Sequence, residues 1–142
     1  MAGFVPGGDP LARDELVVLA APLEGPGASA AVLAALVLAE RSRWTGQPER
    51  TVQVAFWAGV PTSAEAVRQS VRGALWPRCR IRAVVLVADA PVAPVDSIPV
   101  VAVPPGGGGL PLAEALLDRT LLFARRPALS DTTSATNVAD CP

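Results

Sequence analysis

The chain has 142 residues, of which 51% are hydrophobic and 18% charged, so it is long enough to fold as one domain around a core. The formal net charge of −1 provides no basic footprint for nucleic acid or for an anionic membrane. Histidine is absent and all basic residues are arginine, which excludes Ser-His pairs, imidazole metal ligands and Schiff-base lysines.

The first half of the sequence predicts a strand, a helix and a second strand. Residues 16–21 (LVVLAA) are continuously apolar, which is typical of a strand buried on both faces. The GPG turn at residues 25–27 precedes residues 28–43, where alanine and leucine predict a helix. This helix is apolar almost all round, so we expect it to be well covered. Residues 51–57 (TVQVAFW) predict the second strand.

The second half predicts two more helices and two more strands. A helix is expected over residues 64–75, with Ser63 as its N-cap and one apolar face formed by Ala64, Val67, Val71 and Leu75. Strands are predicted at residues 81–88 and 98–103. After a flexible PPGGGG connection, a final helix is expected over residues 112–125, with core candidates Leu116, Leu117, Leu121 and Phe123.

Strands that alternate with helices predict βαβ crossovers, and hence a three-layer α/β/α fold with a mostly parallel sheet. We expect one domain over residues 1–126 and a polar tail over residues 127–142. The longest apolar stretch, residues 28–39, is shorter than the roughly 20 residues that span a bilayer. The first ten residues lack the basic start and apolar core of a signal peptide.

Cys79 and Cys141 are the two cysteines, and they fit no C-x-x-C metal or redox spacing. We expect them to be isolated thiols. A disulfide between them, tying the tail back to the domain, remains an alternative in an oxidising compartment.

Two glycine-rich turns are candidates for phosphate binding. Residues 25–30, from Gly25 through Gly27 to Ala30, satisfy G-x-G-x-x-A between a predicted strand and helix. Pro26 removes an amide from this turn, and the second strand ends at Trp57 without an acid for a ribose, which favours a tight strand–helix turn. Residues 106–109 (GGGG) have no following lysine, so a mobile connection is the favoured interpretation.

Glu24 and Asp89 follow the carboxyl ends of two predicted strands, where open α/β sheets build their sites. Two carboxylates without further ligands make a weak magnesium site at best. Solvated loop acids are the favoured interpretation of both residues.

The strand-turn-helix-strand unit resembles the start of the zinc aminopeptidase fold of the peptidase M28 family. The matching segments are Pro26-Gly27-Ala28, the helix after it, and the strand from Arg50 to Trp57 followed by Ala58-Gly59. In that family a buried strand leads to a P-G-A turn, an Ala-rich helix and an R-x-V-x-F-x-F strand. The resemblance implies an aminopeptidase-like fold, heavily trimmed between Gly59 and Ser130.

The zinc ligands of that family have no counterpart in this sequence. The expected histidine falls at Ala21-Pro22, the bridging aspartate at Ala30, and the acidic pair at Val60-Pro61. We therefore assign no catalytic, cofactor-binding or metal-binding residue, and no cofactor.

One zinc-free branch of the fold, the nicastrin branch, matches further segments. Asp131-Thr132 with Asn137-Val138 is similar to its D-T-x-x-x-x-N-V segment, and residues 56–59 (FWAG) are similar to its F-F-x-G segment. The acidic residue that follows in that branch, linked to substrate recruitment, falls at Val60.

The nicastrin resemblance implies a non-catalytic structural or interaction subunit of a γ-secretase-type membrane protease complex, with protein partners and a lumenal or extracellular location. The exposed faces of the Ala/Leu helices are the expected contact surfaces. The alternatives are a divergent M28-type metallopeptidase, a nucleotide-binding α/β domain, and a truncated product that folds only marginally. If the chain is not nicastrin-like, we expect a cytoplasmic location.

Overall fold

A computed structural model describes residues 2–125, apart from the side chain of Ala2. This part of the chain forms five strands and three helices: β1 (Ala2–Val5), β2 (Leu16–Pro22), α1 (Pro26–Trp44), β3 (Thr51–Trp57), α2 (Ser63–Arg72), β4 (Ile81–Val87), β5 (Val100–Val103) and α3 (Gly109–Ala124). A short 3-10 turn, Arg78–Arg80, precedes β4. The predicted tail and Cys141 lie outside the described residues.

The five strands form one sheet in the order β1-β3-β2-β4-β5. β1 is antiparallel to β3, and the other neighbours are parallel. β2 is central because α1 carries the chain to one side of it and α2 carries the chain back to the other side. The predicted α/β class and mostly parallel sheet are therefore confirmed.

Alternating side chains of β2 divide the core into two clusters. Val17, Leu19 and Ala21 pack with residues of α1 and α3. Leu16, Val18 and Ala20 pack with residues of α2 on the opposite face. Because both faces of β2 are covered, its run of apolar residues shows no alternation with polar ones.

The first strand, β1, was not predicted from the sequence. Its four residues, AGFV, carry no strand pattern of their own, and the register Gly3↔Val54 and Val5↔Val52 shows that β3 positions them. Tertiary pairing, rather than local propensity, makes this segment a strand.

The predicted helix over residues 64–75 is three residues too long at its end. α2 ends at Arg72 with Gly73 as C-cap. The buried amide of Gln53 donates to the Gly73 carbonyl (3.1 Å) and accepts from the Leu75 amide (2.8 Å), so the chain after the helix is bound to β3. Leu75, predicted to belong to the core face, is consequently exposed.

Other boundaries differ by a few residues. The N-cap of α2 is Thr62, whose hydroxyl accepts from the Glu65 amide, rather than the predicted Ser63. Ile98 forms a bridge with Val95 and so lies outside β5. The last of the four glycines, Gly109, is already the first residue of α3.

Candidate functional site

The carboxyl ends of the parallel strands meet at one edge of the sheet, where Glu24 and Asp89 follow β2 and β4. Both side chains are exposed. Within residues 2–125 neither forms a side-chain hydrogen bond or an ion pair. An open cavity of about 330 Å³ lies between Ala88–Val92 and β5, and Asp89 is the only acid that lines it. The geometry fits the favoured interpretation of solvated acids.

The two glycine turns lie against each other at this edge. A Cβ atom placed on Gly108 would lie 2.9 Å from the Cβ atom of Pro26, and the φ of Gly108 is +69°. A Cβ atom placed on Gly27 would also be crowded, because it would lie 3.2 Å from Pro22 Cδ and 3.4 Å from Val87 Cγ1. Both glycines thus permit close packing at the helix starts, as expected for a tight strand–helix turn.

The positions that would carry metal ligands in the M28 family are apolar here. Ala21 and Ala30 are buried in the cluster shared by α1 and α3. Val60 is fully exposed in the turn after β3. In the part of the chain that the structure describes, no group of three or more His, Cys, Asp or Glu side chains is placed to hold a metal ion.

Cys79 is disulfide-bonded rather than a free thiol. The expectation of an isolated thiol is therefore wrong for Cys79. The other cysteine of the chain, Cys141, lies outside the described residues.

The opposite, amino edge of the sheet holds a charged cluster formed by the buried Glu15 and Arg50 and the partly buried Arg82. Glu15 immediately precedes β2, Arg50 precedes β3, and Arg82 lies in β4, so parallel strands bring all three together. Arg50 Nε and Arg82 NH2 donate to the two carboxylate oxygens of Glu15, the second over 2.7 Å. Arg50 NH1 also donates to the carbonyl of Phe123 (2.7 Å), which ties the end of α3 to the sheet.

Electrostatics keep this cluster ionised. Burial alone raises the pKa of Glu15, but hydrogen bonds and charge from Arg50 and Arg82 outweigh burial, so the pKa lies below its ordinary value. Each carboxylate oxygen is occupied by a guanidinium. The cluster thereby links the amino ends of β2, β3 and β4.

The solvent face of α1 is apolar, and the expectation that this helix is well covered is wrong. No charged residue occurs between Pro26 and Ala39, yet Val32 and Leu36 are exposed, Leu36 to 62%. α1 therefore presents apolar side chains both to the core and to solvent. The sequence signal for this surface was the lack of charged residues between Pro26 and Ala39. Within the described residues, the helix that flanks α1 is α3.

Beside this face lies a groove of about 300 Å³ between α1 and the free edge of the sheet, called here the α1 groove. Gly3 lies at its floor, and a Cβ there would meet nothing within 4 Å. All of its lining residues are apolar: Gly3, Phe4, Val5, Val32, Ala35, Leu36, Ala39, Val54 and Phe56. Sequence reasoning missed the groove because it depends on β1.

A second cavity of about 450 Å³ continues the α1 groove towards the carboxyl end of α1. The two cavities share Phe4, Val5 and Ala39. The second one is lined by Arg43, whose NH1 lies 3.8 Å from Glu40 Oε2 in an exposed i,i+3 pair. The apolar surface therefore ends at a cation that is free to rearrange.

The fold and this surface define an α/β domain with an exposed apolar face beside a groove. No protein-family model, no curated protein and no solved structure matches the chain. None of the three helices in residues 2–125 combines the length and the apolar character needed to cross a bilayer.

Proposed function

We propose that this chain is a non-catalytic protein-interaction domain with a three-layer α/β/α, aminopeptidase-like fold of the nicastrin type. In this proposal it serves as a subunit of a γ-secretase-type membrane protease complex. Two features support the nicastrin-type assignment. One is the strand-turn-helix-strand unit, and the other is the presence of alanine at positions 21 and 30, where the zinc-binding family has metal ligands.

One observation carries the interaction role: the apolar solvent face of α1 continues into the α1 groove. Val32 and Leu36 are 44% and 62% exposed at its rim. Burying a side chain of this size stabilises an association by about 1.5–3 kcal/mol. Contiguous apolar surface of this kind marks contact sites in soluble proteins, whereas single exposed apolar residues do not.

The test is co-purification of the full-length chain from its native host in mild detergent, with Leu36→Glu compared with wild type. Leu122→Glu on α3 is the matched control, because Leu122 is 63% exposed and Leu36 is 62% exposed. We expect a stoichiometric partner that is lost from Leu36→Glu and retained by Leu122→Glu. A membrane protease subunit among the lost partners supports the nicastrin part, and any other partner contradicts it.

Activity measurements complete the test. We expect no stoichiometric tight zinc and no peptide hydrolysis with added zinc or cobalt. Tight zinc with turnover would establish the divergent metallopeptidase instead. Saturable dinucleotide binding that is lost on changing Gly27 would establish a nucleotide site at the turn before α1.

A further inference from the structure

The α1 groove lies at the edge of a layer of helices. α1 and α3 pack side by side on one face of the sheet, in contact with β2 and with each other. β1 extends the sheet beyond β3, and α1 reaches β1 and buries Val5. In the part of the chain that the structure describes, Gly3 keeps open space on this face. The element that would continue this layer is a helix lying beside α1, over Gly3.

The exposed side chains of α1 have the spacing of a helix–helix seam. Val32, Leu36 and Ala39 follow each other at intervals of four and three residues and line the groove together. This i, i+4, i+7 spacing receives the apolar face of an amphipathic helix. An added strand would instead pair with the edge of β1 and leave this seam uncovered.

Charge decides the direction of the incoming helix. Arg43, whose exposed partner Glu40 leaves it free to rearrange, lines the cavity at the carboxyl end of the seam. Among the described residues, no acid lines either cavity. A helix antiparallel to α1 brings its amino terminus to Arg43, where acidic residues in its first turn are favoured both by that cation and by the helix dipole.

We infer that the α1 groove binds an amphipathic helix of a partner protein, antiparallel to α1, with its apolar face on Val32 and Leu36 and an acidic first turn at Arg43. This inference rests on the proposed interaction role and names the partner element. A bilayer fits the surface less well, because the site is concave and lacks the flanking cluster of cations that anionic lipids require.

The experiment is a display selection of monomeric helical peptides, randomised at their surface positions, on the full-length chain. Binding is then measured by fluorescence anisotropy. We expect enriched peptides with an apolar i, i+3, i+4, i+7 face and acidic residues in the first turn. Leu36→Glu should weaken their binding about thirtyfold, as for a central interface residue, and Leu122→Glu should leave it unchanged.

Two further variants test whether a loss of binding reflects the groove rather than misfolding, and which way the bound helix points. Gly3→Leu fills the groove from the strand side, where a Cβ has open space, and should also abolish binding. Arg43→Glu should favour peptides with a basic first turn. Arg41→Glu is its control, because Arg41 lines a separate cavity with Leu38 and Leu121.

Each other outcome overturns the inference. The inference fails if the selected peptides still bind the Leu36→Glu variant. It also fails if extended peptides bind in a Leu36-dependent way, or if Arg43→Glu changes the preferred charge at the carboxyl end of the peptides instead of the amino end. A Leu36-dependent dimer in sedimentation, or Leu36-dependent binding to phosphatidylglycerol vesicles, would identify a different occupant. If the native partner is lost from Leu36→Glu while the helix selection fails, the proposed function stands and only this inference falls.

Discussion

The two edges of the parallel sheet differ in how they use charge. At the amino edge, Glu15 and Arg50 are buried, Arg82 is partly buried, and hydrogen bonds join the three residues. At the carboxyl edge, Glu24 and Asp89 are exposed and form no side-chain bond within residues 2–125. Open α/β sheets place their chemistry at the carboxyl edge. Here the organised polar groups lie at the other edge, where they hold the strands together.

The comparison shows that a perturbed, buried carboxylate is a structural group in this protein. Both oxygens of Glu15 accept hydrogen bonds, and one of its partners, Arg50, also binds the end of α3. At the carboxyl edge, the glycine turns before α1 and α3 pack closely against each other. The proposed recognition surface is a third region, the apolar face of α1.

The largest expected effect comes from breaking the amino edge. Glu15→Ala should lower the free energy of unfolding by about 3–5 kcal/mol, because the buried guanidinium of Arg50 and the partly buried one of Arg82 lose their counter-ion. Urea denaturation measures this change. Glu24→Ala at the other edge is the matched control. Equal effects of the two variants would contradict the contrast between the edges.

At the carboxyl edge, packing rather than charge should matter. Gly108→Ala should cost about 1–3 kcal/mol, because the φ of +69° is unfavourable for alanine and its Cβ would contact Pro26. Gly107→Ala, which has no positive φ and open space around its Cβ, is the control. Thermal unfolding of both variants checks the prediction, and a stable Gly108→Ala variant would refute close contact between the two turns.

The pH dependence of stability should report the amino edge. The pKa of Glu15 in the folded state is depressed below 4.5, its ordinary value. Its stabilising contribution is therefore complete above pH 4.5 and is lost as the pH falls through the folded-state pKa. Urea midpoints measured below pH 4.5 should fall less steeply for Glu15→Gln than for wild type. Identical slopes would mean that Glu15 is not stabilised as a carboxylate.

The smallest effect is expected for the exposed acid of the carboxyl edge. Asp89→Asn should change the free energy of unfolding by less than about 0.5 kcal/mol, since the side chain has no partner within residues 2–125. A loss of more than about 1 kcal/mol in denaturant titrations would show that Asp89 has a structural role.

Much of the fold could be predicted from apolar periodicity and breakers. The central strands follow from continuous apolar runs, and the parallel sheet follows from their alternation with helices. The end of α2 could not be predicted, because Gln53 binds Gly73 and Leu75 from a strand some twenty residues away. β1 could not be predicted either, because its pairing with β3 is its only strand signal.

The sequence predicted only the kind of candidate surface, an apolar helix face, and not its residues. The uncharged sequence of α1 identified Ala/Leu helices as contact surfaces, but covering by neighbouring elements was expected as well. Which side chains stay exposed depends on the position of β1 and on the small size of Gly3, and both are settled by packing.

The sequence by itself determined the strand and helix alternation, the apolar runs that two covered sheet faces require, and the lack of histidine and lysine chemistry. Only the tertiary structure decided the rest. It joined Glu15 to Arg50 and Arg82, which lie 35 and 67 residues away in sequence, and it left one side of α1 open. Local patterns fix which residues avoid water, whereas the order of strands in the sheet fixes which of them meet.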